Sequence, residues 1–454
     1  MKTPVSFAVA CLLLGAAPAG AMTLEEALAA AYVGNPQLQA QRAAVRATDE
    51  QVPQALSGWR PQVGLNGSVG RAWVDGNTPV PGTSIERDPT QASATITQPV
   101  FRGFRTVNGV EAAENAVLSA RSQLTSAEQQ ILLNAVEIYS GVLRDEAVVE
   151  LNANNEQVLR RQLGATRDRF QVGEITRTDV SQAESRVSGA RASRISAESQ
   201  LMSSRATFQR IVGVPPEGLT PPTQLPQLPA SLEQTVALAL ENQPDVLAAQ
   251  YAARAADDTI DVVKGELLPE VSLQASHGRG WETQAPQSRL NSTQITANVT
   301  VPLYESGAVY SRVREAKQVA SQRRIQVEQA QVTAREAAVQ AWETLVAARA
   351  EIESRQAQVD AASTALEGVQ REAQVGARTV LDVLDAEQEL LDANVNLVRA
   401  RHNERVAAFR LLSATGGLTA GNLGLPVEIY DPSAHYQAVR NQWFGTEASV
   451  GDGK

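Results

Sequence analysis

Polar and apolar residues alternate strictly over four short stretches, separated by much longer runs that do not alternate. In "QVGLNGSVG" (62–70), Val63, Leu65, Gly67 and Val69 alternate with Gly64, Asn66, Ser68 and Gly70, and "QASATITQPV" (91–100) sets Ala92, Ala94 and Ile96 against Ser93, Thr95 and Thr97. Val271, Leu273 and Ala275 against Ser272, Gln274 and Ser276, then Ile295, Ala297, Val299 and Val301 against Thr296, Asn298 and Thr300, repeat the pattern. Period two predicts four β-strands. One face of each is apolar and the other carries small uncharged groups, as a barrel lumen would, although a half-buried sheet packed on helices gives the same alternation. Strands of about ten residues can cross an outer membrane when tilted. Trp73 and Trp281 are expected to end the first strand of each pair, and Phe101, Phe104 and Tyr304 the second, as interfacial aromatics do. The polar loops at 74–90 and 282–292 are expected to face solvent outside the cell.

The long runs predict helices. Between Pro99 and Pro215 lie 115 residues without proline, and between Pro302 and Pro426 there are 123, rich in Ala, Gln, Glu and Arg, which favour helix over strand. Ser306 to Gln374 alone would make a helix roughly 100 Å long at about 1.5 Å per residue. An average globular helix has about 11–12 residues, so the pattern implies a coiled or bundled rod. Val172-Gly173 and Val375-Gly376 mark where each rod turns, with return helices beginning near Thr178 and Thr379.

The chain is written twice. "TLEEALAAAYVGNPQLQA" (23–40) matches "SLEQTVALALENQPDVLA" (231–248) at an offset of 208, which holds through Trp73 and Trp281. From Pro99 and Pro302 onward the offset is 203, and it aligns Asp179 with Asp382, Glu184 with Glu387 and Gly213 with Gly416. The expected organisation is a signal peptide (1–21), a first repeat (22–213) of helix, strand pair and long helical hairpin, a Pro-rich linker (214–230), a second repeat (231–420) of the same order, and a C-terminal tail (421–454). Four strands leave two open edges, which hydrocarbon forbids, so an assembly must close them: two chains give eight strands and three give twelve.

Composition narrows the possible partners. Among 454 residues the formal net charge is −10, which argues against nucleic acid. Lys2, the apolar run after it and Ala19-Gly20-Ala21 read as a cleaved secretory signal, so the exported chain is expected to begin at Met22. Cys11, the one cysteine, falls in the removed segment, and stability in an oxidising space must come from packing or assembly.

The repeated order, with "NPQLQA", "QPVFRG", "VPLYESG", "VGEITRTDV" and "VGARTVLDVLDAEQ", resembles the TolC family of outer-membrane exit ducts over nearly the whole exported chain. The tail "GLPVEIYDPSAHYQAVRNQWFG" (424–445) resembles the branch associated with type I protein secretion. The resemblance implies an α+β membrane protein: a homotrimer with a 12-stranded outer-membrane β-barrel continued by a periplasmic α-helical barrel. It also implies an iris of helix tips opened by a periplasmic adaptor and an inner-membrane transporter, with outer-membrane lipid around the barrel. By the same resemblance Asp382 and Asp385 line the closed aperture, and Arg378, Thr178 and Asp179 contribute polar links that hold it shut. The family's best-known member has a gate tyrosine where this chain has Ala373.

Spacing supports two readings of these acids. Asp382 and Asp385 share one helix face, so three chains would stack two rings of carboxylates across an opening. Alternatively, Thr379 with Asp382 and Thr176 with Asp179 fit the helix-start signature S/T-x-x-D/E, which leaves Asp385 unexplained. A catalytic carboxylate pair would sit across a cleft in a pocketed fold. No zinc spacing, nucleophile elbow or phosphate loop accompanies the acids, and His277, His402 and His435 stand alone, so no cofactor, metal or enzymatic activity is expected. A periplasmic coiled-coil adaptor, the rival from another class, would not need two amphipathic strand pairs.

Overall fold

The structure, a computed structural model, describes residues 22–75, 84–222 and 225–447. The expected signal peptide with Cys11, the middle of the 74–90 loop and the last residues of the tail lie outside the described residues. In chain order, the first half comprises α1 (Leu24–Gly34), α2 (Pro36–Asp49), α3 (Gln51–Leu56), β1 (Gln62–Val69), β2 (Ala72–Asp75), β3 (Ser84–Arg87), β4 (Thr90–Arg102), α4 (Arg105–Gln171) and α5 (Arg177–Val212). The second comprises α6 (Leu232–Asn242), α7 (Pro244–Lys264), β5 (Glu270–Trp281), β6 (Arg289–Thr300), α8 (Ala308–Gln374) and α9 (Val380–Ala414), and a short α10 (Ala434–Val439) lies in the tail.

The first half opens with three helices and the second with two, where one was expected in each. Asn35 and Gln243, each preceding a proline, take extended backbone. Proline disfavours helical geometry at the residue before it and supplies no N–H to the ladder, so the pattern is cut there. α4 and α8 each run unbroken for 67 residues, and among the described residues no helix is long and apolar enough to cross a membrane.

Contacts divide the chain into two compact units. One holds residues 40–126, 243–333 and those from Tyr430 onward. Its centre is a four-stranded antiparallel sheet of order β1-β4-β5-β6, so the strand pair of each half meets the other through β4 and β5. The register places Val63, Ile96, Ala275 and Ile295 side by side, with Leu273 and Ala297, then Phe101, Val271 and Val299, on the same face toward the ends where α4 and α7 join the sheet. In the other direction β1 and β4 stay apolar or small at Leu65 and Ala94, while β5 and β6 turn polar on that face at His277, Thr293, Arg279 and Asn291. His277 Nδ1 lies 2.8 Å from Thr293 Oγ1. The edge strands keep their side chains open to the surroundings: Leu65 and Val69 are both 82% exposed and Ile295 is 78%.

Three strand expectations need correction. Trp73 does not end β1; it lies in β2, which pairs with β3 as a separate ribbon opposite Glu86. β6 starts at Arg289, inside the expected 282–292 loop, and stops at Thr300 before Val301. The cause is pairing, because β5 continues through Gly278 and Gly280 to Trp281 and carries its partner with it.

Where β4 leaves the sheet, Gly103 and Phe104 take positive φ, and the equivalent Ser306 and Gly307 precede α8. A side chain on Gly103 would meet the Gly265 carbonyl at 2.1 Å, and one on Gly265 would meet that of Gly103 at 2.3 Å, so two bare backbones pack against each other. Glu270 holds the same elbow through Arg102 at 3.3 Å and Arg105 at 2.7 Å.

The other unit holds the residues up to Gln39, Ala127–Asn242 and Ala334–Ile429. Tyr139, fully buried beside Phe208, brings its hydroxyl within hydrogen-bond reach of the Met22 and Thr220 carbonyls, at 2.9 and 2.6 Å. Leu225 and Leu228 of the Pro-rich linker pack against Leu345, Ala407, Ala408 and Leu411 of α8 and α9.

Candidate aperture at the helical tips

The two hairpin turns share one backbone. After α4, Gly173 (φ 80°) donates to Phe170 O at 3.0 Å and Glu174 to Arg169 O at 3.0 Å. After α8, Gly376 (φ 78°) donates to Ala373 O at 3.2 Å and Ala377 to Glu372 O at 2.9 Å. This is the Schellman arrangement, which requires left-handed backbone that glycine takes without a Cβ penalty. An exposed valine, Val172 or Val375, marks each tip.

The return helices start on identical caps. Thr176 precedes α5, and Asp179 accepts from its N–H at 2.9 Å and its hydroxyl at 2.8 Å. Thr379 precedes α9, and Asp382 accepts from the same two groups at 2.9 and 2.8 Å. Both aspartates thus make the capping box. The Thr379 bonds hold the Asp382 carboxyl below its ordinary range with Arg378 adding to the effect, and the Thr176 bonds do the same for Asp179. Thr178, the second residue of α5, is exposed.

Asp385, one turn beyond the cap, is engaged elsewhere: it pairs with Arg186 of α5. Asp382 therefore turns back on its own helix start while Asp385 ties α9 to the first hairpin, and within the chain the two carboxylates have separate partners. Arg378 donates from Nε to Glu372 at 2.9 Å across its own turn, and Asp179 is engaged by Thr176. Sequence reasoning missed Arg186 and Glu372. Glu372 lies six residues from its partner and could have been found as a turn-spanning ion pair, whereas Arg186 lies 199 residues from Asp385 and carries no local signal.

Packing under the tips also joins the hairpins. Leu159, Ala183, Ala190, Val380 and Leu384 form one buried cluster from α4, α5 and α9. Arg167 reaches Glu184 at 2.6 Å, and Gln370 reaches Glu387 at 3.0 Å at the equivalent place in the second hairpin. Glu387 is half-buried, and burial raises its carboxyl while Gln370 and Arg161 oppose the rise.

Long paired helices ending in capped acidic turns, with a four-stranded sheet open at both edges, define an outer-membrane channel chain. It belongs to the outer membrane efflux protein family, the TolC family, whose family model matches residues 27–214 and again 235–417. The chain is 38% identical to the outer membrane efflux protein BepC of Brucella suis biovar 1, over 98% of this chain and 97% of that protein. It is 26% identical to the outer membrane protein TolC of Vibrio cholerae, over 88% and 92%. In fold it is similar to the Campylobacter jejuni CmeC outer membrane channel, with a TM-score of 0.80 over 92% of this chain and 89% of that one, at 15% identity. Members of this family are outer-membrane channels rather than enzymes, which supports a non-enzyme reading of this chain.

Proposed function

We propose that the chain is the outer-membrane exit duct of a tripartite efflux or type I secretion system, passively conducting cargo delivered by an inner-membrane transporter and a periplasmic adaptor. The observation that carries this reading is the sheet: four strands whose two edges are unpaired among the described residues, with an aliphatic face whose boundary runs obliquely across them. Tilted strands give that obliqueness when a flat membrane cuts them. Open edges cannot persist in hydrocarbon, so copies join edge to edge, and the TolC-family relationship supports three copies and twelve strands. The two repeats, 22–213 and 231–420, each supply one strand pair and one helical hairpin. The linker 214–230 connects them, and the tail 421–454 follows. The loops at 74–90 and 282–292 face the cell exterior, and the helices extend into the periplasm.

At the periplasmic end the tips form the gate. Asp382 and Asp385 from three copies make an electronegative constriction, flanked by Arg378, Thr178 and Asp179. Capping and gating are compatible roles for Asp382, because a carboxylate held ionised by its own helix start still presents its charge to the pore.

Native mass spectrometry in detergent is expected to show a trimer; a stable monomer would remove the barrel. Planar-bilayer recording with a trivalent cation added at the tip side is expected to show block that Asp382→Ala with Asp385→Ala abolishes. Equal block of variant and parent would reduce the two acids to structural roles.

A further inference from the structure

Residues 430–447 have no part in the duct described above, yet polar chemistry fixes them to the sheet-bearing unit. α10 puts His435 Nδ1 3.2 Å from Oδ2 of Asp49, a carboxylate with no exposed surface, and Arg121 Nη2 lies 3.8 Å from the other oxygen. Burial raises the Asp49 carboxyl, and His435 and Arg121 oppose the rise. Tyr436 donates to Glu114 at 3.0 Å, accepts from Arg440 Nε at 2.9 Å, and packs on Val52, Ala113 and Val117. Removing the partners of a buried carboxylate is strongly unfavourable, so this latch holds the segment in one place.

Beyond the latch the segment changes character. Arg60 Nη1 donates to the Gln442 carbonyl at 2.7 Å, and its guanidinium carbon lies 5.0 Å from the centre of the Trp443 ring. Trp443 is nevertheless 57% exposed and Phe444 86%. Arg60 stands two residues before β1, and the Trp59 carbonyl accepts from Gln98 of β4. The tail therefore delivers its aromatic pair to the end of the sheet from which α4 departs, where the aliphatic face begins and where Trp59, Phe104 and Tyr304 are also exposed. A latch that fixes a segment only to leave two large aromatics open to the surroundings, continuous with an apolar sheet face, fits a lipid boundary. Ring systems with a polar edge or a neighbouring arginine favour the headgroup level, and the arginine can hold a phosphate.

We propose that Trp443 and Phe444 insert into the periplasmic leaflet of the outer membrane at the boundary between headgroups and acyl chains, and that the Asp49–His435 latch fixes them there. This rests on the membrane-barrel reading of the sheet. The full chain is reconstituted into vesicles of phosphatidylethanolamine and phosphatidylglycerol, carrying an environment-sensitive fluorophore at Phe444→Cys or, separately, at Leu65→Cys on β1. Lipids bearing a nitroxide close to the headgroup should remove most of the fluorescence at 444, and aqueous iodide little of it. Lipid quenching at 65 with iodide quenching at 444, or with protection from both quenchers there, overturns the anchor and leaves the barrel standing. No lipid quenching at either position overturns the barrel itself. Asp49→Asn with His435→Ala should shift the 444 label from lipid to iodide quenching while leaving the Leu65 label unchanged. An unchanged 444 label in that variant overturns the role of the latch.

Discussion

The two helical tips have the same backbone and different attachments. Both turn on a left-handed glycine and both restart on a Thr-x-x-Asp cap. In the second tip, the first turns of α9 bury Val380, Val383 and Leu384 and send Asp385 to Arg186. In the first, the aligned positions on α5 are Arg177, Val180, Ser181 and Gln182, none of which is buried. A turn motif therefore fixes where a hairpin reverses, and a few side chains after it decide what the hairpin is fastened to.

The largest test of that difference is Leu384→Ala. Truncating a leucine with 1% of its surface exposed should cost about 2–5 kcal/mol, read by denaturant unfolding and by hydrogen exchange in the first turns of α9. Ser181→Ala, at the aligned position of the first tip, should change stability by less than about 0.5 kcal/mol. Equal losses would break the comparison.

Next in size is a pair expected to agree. An alanine at Gly173 or Gly376 meets no atom within 4 Å, so each substitution costs only the left-handed backbone strain, roughly 1–2 kcal/mol. Matching melting shifts for the two variants would sharpen the claim that the turns are the same object. A clearly larger shift at one tip would show that it carries a packing role the shared backbone hides.

The aligned glutamates should respond with opposite signs. Burial raises the folded-state pKa of Glu387 above its ordinary value near 4.5, so the folded chain binds its proton more tightly than the unfolded chain does. The resulting stabilisation is full below that ordinary value and disappears as pH rises through the raised one. Glu387→Gln should therefore melt higher than the parent at neutral pH, and the gap should close on acidification. Glu184→Gln breaks a half-exposed pair with Arg167 and should lose about 0–1 kcal/mol. Melting curves of both variants from mildly acid to neutral pH check the two signs together.

The smallest effect belongs to the acid that sets the tips apart. Asp385→Ala removes an exposed pair with Arg186 and should cost about 0.2–1 kcal/mol in low salt, less in high salt. Gln182→Ala should cost nothing measurable. A salt-independent loss at Asp385 would mean that the pair is shielded and structural.

Most of the local structure was legible because its causes are local. Period-two alternation located four strands, the proline-free stretches located α4, α5, α8 and α9, and the Thr-x-x-Asp spacing announced both caps. One failure was local, the cut before Pro36 and Pro244 in each opening helix, and the others came where an element's extent depends on its pairing partner. β6 reaches back to Arg289 because β5 pairs that far, and Trp73 left the main sheet because β2 pairs with β3. At the tips the acids were found, but the partner of Asp385 was not.

Alone, the sequence located four strands, the long helices and the caps on which the return helices start, since backbone sterics, capping chemistry and hydrophobic period act within a few residues. Only the tertiary structure decided which strand lies beside which, and with that the oblique edge of the apolar face. It also decided that Asp385 crosses to Arg186, 199 residues away, and that the tail segment carrying Trp443 and Phe444 is latched by His435 onto a carboxylate 386 residues away. Such pairings join groups far apart along the chain, and no period or spacing in the sequence encodes a contact whose two halves come together only when the chain has folded.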